Sequence, residues 1–228
     1  MEKTVVIAGA GDPAGIRLAK DFLKKGYRVF AAHLSGQQPC PVGGVEALEI
    51  DPMSQESADK AAEAVKARCG SVDMLVVNYD SCPVPDLKSI LDQPDYPGMV
   101  RAYEYNSIGP LRAIEAFLPL LKEGAGKRVC AVTSLASSNN AARGFVDFPG
   151  HVSKAPLNMA LNQLFNGLRP QGFTFRVCCK DPEAGPDKAG EFAVEYFTRN
   201  RSNEPESYKH SDENRLVMRD WMGIEIPW

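Results

Sequence analysis

The sequence predicts a doubly wound α/β fold: a seven-stranded parallel sheet with helices on both faces. Three observations lead there. Short apolar runs alternate with helical patterns along the whole chain, and the connections between them are short, which favours strand–helix–strand units and a parallel sheet. Three of the runs, "TVVIAG" (4–9), "DMLVVNY" (73–79) and "RVCAVTS" (128–134), are almost continuously apolar, as strands covered on both faces are. The first run feeds through a glycine-rich turn directly into an amphipathic stretch. That is how such sheets build a ligand site at the carboxyl ends of their strands.

The remaining strands read as "YRVFAAH" (27–33), "VEALEID" (45–51), "TFRVCCK" (174–180) and "RLVMRDW" (215–221). A first helix runs from about Ala14 to Lys25, with Ile16, Ala19, Phe22 and Leu23 on one face and Gly26 as its stop. Ser54 caps a second helix, which turns Ala58, Ala61, Ala62 and Val65 inward and ends at Gly70. Residues 99–121, 151–168 and 187–199 supply three more. The polar stretch "RNRSNEPESYKHSDEN" (199–214) reads as a solvated surface connection.

With 228 residues and no repeat, linker or low-complexity tract, residues 1–228 are expected to form one domain. A net charge of −3 gives no electrostatic reason to expect nucleic acid or anionic lipid as a partner. Six cysteines show neither CxxC nor metal-ligand spacing. Cys130, Cys178 and Cys179 lie in apolar runs and read as buried thiols. The N-terminal apolar run is too short for a signal peptide or a membrane span, so the expected location is cytoplasmic.

"VVIAGAGDPAGIRLA" carries the strongest local signal. Gly9, Gly11 and Ala14 fit GxGxxG/A between a strand and a helix. The glycines permit a tight turn and close backbone approach to a pyrophosphate, and the helix N-terminus presents N–H groups that favour negative charge. Two residues oppose this. Pro13 lacks an N–H, and Asp12 places an anion in the same turn.

Partial motifs in order resemble the short-chain dehydrogenase/reductase family, a Rossmann-fold family, over nearly the whole chain. "AGAGDPAG" resembles its TGxxxGxG turn and supplies Gly9 and Gly15, with Pro13 at the middle glycine. "EIDPMS" resembles the third-strand end, which implies that Asp51 meets the adenine amino group. "VDMLVVNYD" is similar to the LDVLVNNAG strand, with Asn78 at the second asparagine and Tyr79-Asp80 in place of Ala-Gly. "YEYNSIGPLRAIEAFLPLL" resembles the helix with the family's asparagine, here Asn106. "GKRVCAVTSLAS" puts Ser134 at the catalytic serine, and "SKAPLNMALNQLFNGLRPQGFTFRVCC" follows the lysine helix, with Lys154.

The resemblance implies an NAD(P)-dependent oxidoreductase for a small-molecule carbonyl or alcohol, acting as a homodimer or homotetramer. It also implies roles: Lys154 on the nicotinamide ribose, Ser134 on the substrate oxygen, Asn106 on a relay water. Hydride transfer at a carbonyl carbon needs a proton donor or acceptor at the oxygen. The family uses a tyrosine four residues before the lysine, and "GHVSK" (150–154) has Gly150 there. His151 titrates in a suitable range but lies about 100° round the helix. Asp147 and Ser153 are weaker substitutes. The family's substrate-covering segment is shortened after "CCKDPEAG". NAD-preferring Rossmann proteins end the second strand with an acid; this chain has His33. Its loss removes a repulsion against a 2′-phosphate, and Arg17 is a candidate to attract one, so NADP is slightly favoured. Two other readings stay open: a catalytically silent dinucleotide-binding homologue with a regulatory or structural role, and non-redox chemistry such as isomerisation on the same scaffold.

Overall fold

The computed structural model describes residues 2–79, 91–142, 148–180 and 185–228. Its elements are β1 (Lys3–Ala8), α1 (Pro13–Lys24), β2 (Tyr27–His33), β3 (Glu46–Glu49), α2 (Gln55–Cys69), β4 (Met74–Val77) and α3 (Tyr96–Tyr103). They continue with α4 (Gly109–Glu123), β5 (Arg128–Ser134), α5 (Phe148–Leu168), β6 (Thr174–Lys180), α6 (Gly185–Thr198), β7 (Met218–Arg219) and β8 (Glu225–Ile226). The sheet order is β3-β2-β1-β4-β5-β6-β7-β8. Strand order therefore reverses between β1 and β4, which is where open α/β sheets bind ligands.

Period-two alternation divides the core into two layers. Val5 and Ile7 of β1 pack with Leu18, Ala19 and Phe22 of α1 and with Val194 and Phe197 of α6. Val6 and Ala8 face the opposite layer, with Ala58 and Val65 of α2, Phe117 of α4 and Leu161 of α5. A fully buried side chain such as Phe22 contributes about 1.5–3 kcal/mol through its burial. Helix boundaries follow local chemistry. The Ser54 side chain accepts the Ser57 N–H, and Gly70 closes α2 with φ +75.

The structure corrects three expectations. The sheet has eight strands among the described residues, and β8 runs antiparallel to β7. The expected strand 215–221 shrinks to Met218–Arg219 because the chain reverses at Asp220. That carboxylate accepts the N–H groups of Met222 and Ile224, at 2.9 and 2.8 Å. Second, the long helix expected over 99–121 is interrupted by a π-helical turn, Glu104–Ile108. Pro110 has no N–H to offer the carbonyl of Asn106 four residues back, and the Gly109 N–H reaches five residues back, to Glu104.

Third, the 199–214 stretch is not a plain solvated connection. Asp212 is fully buried, its carboxylate bonding Arg219 (2.9 Å) and the Tyr196 hydroxyl (3.0 Å). Arg176 of β6, also fully buried, pairs with Glu204 at 3.0 Å and Glu213 at 2.7 Å. Charges leave water here because each finds a partner of opposite sign. No helix among the described residues is long and apolar enough to cross a membrane.

Candidate functional site

The turn after β1 is tight by necessity. Gly9 has φ +92, and a Cβ on it would lie 2.6 Å from the Asn78 carbonyl oxygen. A Cβ on Gly15 would lie 2.5 Å from the Ala10 Cα, so α1 sits directly on the turn. Gly11 differs: its Cβ would meet only the Gln37 side-chain oxygen, at 2.7 Å. Asp12 caps α1, taking the Gly15 N–H at 2.6 Å. Asn78, just past the end of β4, donates through Nδ2 to the Gly9 carbonyl (2.7 Å) and to Asp12 Oδ1 (2.9 Å). Lys180, ending β6, donates to Asp12 Oδ2 at 3.0 Å.

A groove of about 250 Å³ opens beside this turn, at the reversal of strand order. Its walls include Gly9, Gly11, Asp12 and Asn78 from the turn, His33 at the end of β2, and Tyr79 with Tyr105. The His33 Nδ1 lies 3.0 Å from the Leu34 carbonyl and donates its hydrogen to it. Tyr79 and Tyr105 meet edge to face at 5.8 Å. Burial, reinforced by Tyr105 and Asp51, pushes the Tyr79 phenol far above its ordinary range, so it keeps its proton. Asn78 Oδ1 and the Tyr79 hydroxyl are buried with no hydrogen-bond partner among the described residues.

These features fit the adenosine half of a dinucleotide: a glycine-lined wall that lets a ligand approach the backbone, and an unpartnered buried acceptor on Asn78. Asp51 stands outside the lining; its carboxylate accepts the Met53 N–H at 2.9 Å. Arg17 is also outside it. It pairs with Asp21 and Glu191 along the α1–α6 contact, which removes the cation expected near a 2′-phosphate. Asp80 and Asp147 lie outside the described residues.

A second cluster joins α3–α4 to α5. The π turn presents Asn106, only 3% exposed, and its Nδ2 donates to the Ser153 hydroxyl at 3.0 Å. The Ser153 hydroxyl donates in turn to the Gly150 carbonyl at 3.1 Å, and the Ser153 carbonyl accepts from the Ser107 hydroxyl at 2.6 Å. Ser153 is thus occupied as a connector. Helix α5 begins at Phe148, three residues earlier than expected. Gly150 therefore lies inside its first turn and shares a face with Lys154, four residues on. His151 and Lys154 are half-buried. Ser134 ends β5 in register with Lys180, and its hydroxyl is buried with no partner among the described residues.

Gly9, Gly11, His33 and Asn78 thus meet at one groove, while Asn106 meets α5. Lys180 escaped the sequence reading, although "CCK" puts a cation at the carboxyl end of an apolar strand, where ligands bind. Gln37 lay in an unstructured-looking stretch and carried no signal.

A strand order reversing at a glycine turn, with serine and lysine elements behind it, is the place where open α/β sheets bind ligands. The short chain dehydrogenase family matches residues 3–180, and the chain belongs to that family. It is similar to the C-signal protein of Myxococcus xanthus, 32% identical over 73% of this chain and 99% of the relative. An uncharacterized oxidoreductase of Schizosaccharomyces pombe is 30% identical over 75% of this chain and 70% of its own length. The fold matches a carbonyl reductase from Pseudomonas aeruginosa (TM-score 0.80, 20% identity, covering 99% of this chain and 100% of that one). It also matches an NADPH-bound carbonyl reductase from chicken fatty liver (TM-score 0.76, 18% identity, covering 100% and 94%).

Proposed function

We propose that the chain is an NAD(P)-dependent oxidoreductase for a small carbonyl or alcohol substrate, using a proton donor other than a tyrosine on α5. The observation that carries this reading is the groove at the reversal of strand order, walled by Gly9 and Gly11 beside the start of α1. A bound nicotinamide supplies or accepts the hydride. The chain's residues do the rest. The unpartnered Ser134 hydroxyl bonds the substrate oxygen. Lys154 holds the nicotinamide ribose, and Asn106 ties the π turn to α5 through Ser153. Asp51 meets the adenine. With Gly150 in the first turn of α5, the proton comes from His151 or from water admitted beside Lys154. NADP stays slightly favoured because no carboxylate stands at the end of β2. Comparable family members assemble through the asparagine and lysine helices, and a homodimer or homotetramer is proposed here too.

The test is oxidation of NADH and NADPH against a panel of aldehydes and ketones. Turnover that falls by about 10²–10⁴-fold in Ser134→Ala and Lys154→Ala supports the reading. One observation favours the silent-homologue alternative: the Asp12 carboxylate already fills the anion position at the start of α1. Binding without turnover on any substrate would support that alternative. Absence of binding would contradict both.

A further inference from the structure

Among the described residues lining the groove there is no lysine or arginine, yet the pyrophosphate of any dinucleotide is doubly negative. The nearest answer lies across the sheet. Lys180 ends β6, three strands from β1 in the sheet order, and its ammonium reaches back to Asp12 Oδ2 at 3.0 Å. The other Asp12 oxygen takes the Gly15 N–H at 2.6 Å and the Asn78 amide at 2.9 Å. A backbone N–H, an amide and a cation therefore converge on one carboxylate, at the position where a helix start favours an anion.

We propose that Lys180 is a phosphate-binding residue of this groove, and that Asp12 is the anion it holds until a dinucleotide arrives. The proposal rests on the cofactor reading above. The Lys180 side chain is 18% exposed and so is partly withdrawn from water, which favours an anion beside it. The Asp12 side chain is 38% exposed and can turn outward to solvent. Asn78, only 2% exposed, lines the same groove, and its Oδ1 has no partner among the described residues, so it can accept from a ligand hydroxyl or amine beside the phosphate position. Binding exchanges one anion for another: the pyrophosphate takes the Lys180 ammonium, and Asp12 leaves.

Lys180→Met keeps the aliphatic stem and removes the charge, while Asp12→Asn keeps a good helix cap and removes the competing anion. Binding of NADH and NADPH by fluorescence titration, with inorganic pyrophosphate as competitor and adenosine as an uncharged control, reads both. Lys180→Met should weaken dinucleotide binding at least tenfold and flatten its salt dependence. Asp12→Asn should strengthen it several-fold, and adenosine affinity should not move in either variant. Dinucleotide binding by Asp12→Asn alone, with none by the wild type, would overturn the exchange. Equal dinucleotide affinity in wild type and both variants would overturn the role of Lys180 and leave the cofactor reading intact. No binding by any of the three proteins would overturn both. Should Lys180→Met unfold, the Asp12→Asn comparison alone decides: unchanged affinity refutes the proposal.

Discussion

Gly9 holds φ +92 with the Asn78 carbonyl oxygen 2.6 Å from where a Cβ would stand. Alanine there meets both a left-handed backbone and fixed backbone atoms. Gly9→Ala is expected to lower stability by about 1–3 kcal/mol, read by urea denaturation. Nearby, His33 ends β2 on the groove wall, so His33→Asp should bond ribose hydroxyls and repel a 2′-phosphate. The ratio of NAD to NADP affinity should rise; an unchanged ratio would mean that the ribose does not approach the end of β2. Residues of this kind were legible because their chemistry is local. A glycine between a strand and a helix announces a turn. A lysine whose partner sits 168 residues away does not announce an ion pair.

Helix α5 and the π turn are coupled at Ser153, through its hydroxyl and its carbonyl. Ser153→Ala would leave the Asn106 amide buried without an acceptor, at a cost of about 1–3 kcal/mol. The same change should loosen Asn106 relative to Lys154, lowering turnover more than dinucleotide affinity. The 199–214 segment is held in a different way. Asp212→Ala strands the Arg219 guanidinium, which is 4% exposed. Removing one partner of a buried pair costs about 3–5 kcal/mol, visible as a fall in the thermal midpoint. Ser54 and Gly70 announced the ends of α2 from the sequence, because caps are encoded within a few residues. The π turn was hidden, since proline at 110 reads equally as a helix start or an interruption. The buried acids of 199–214 were hidden too: their arginines lie on β6 and β7, and polarity alone does not distinguish a solvated loop from a paired one.

Across the molecule, α1 and α6 are clamped by charge as well as by apolar packing. Burial pushes the Asp21 carboxyl up, but Arg17 and Lys24 outweigh it and hold the group below its ordinary value. Glu195 is held low chiefly by its bond from Lys25, with burial opposing. Both groups therefore add stability above the ordinary carboxylate range and lose it as pH falls through their lowered values. The denaturation midpoint should decline below about pH 4, and Asp21→Asn should flatten part of that decline. In the opposite direction, burial raises the Cys130 thiol to about 12, so it should resist alkylation at neutral pH in the folded chain. The sheet order and the groove follow from the alternation of strands and helices, which is why the fold was readable. The reaction was not, because "GHVSK" carries a glycine where the family resemblance implies a tyrosine.

The groove beside the first glycine turn is proposed to bind a nicotinamide dinucleotide, and Gly11 is its cleanest probe. A Cβ there displaces only the flexible end of Gln37, so Gly11→Val should fold with an unchanged thermal midpoint while its side chain enters the groove. Calorimetric titration of NAD, NADH, NADP and NADPH into the wild type and Gly11→Val decides the matter. The account predicts that at least one nucleotide binds the wild type and that the folded variant loses this binding by at least a hundredfold, about 2.7 kcal/mol. Equal affinity in the two proteins would contradict it, and the glycine turn would be architecture alone.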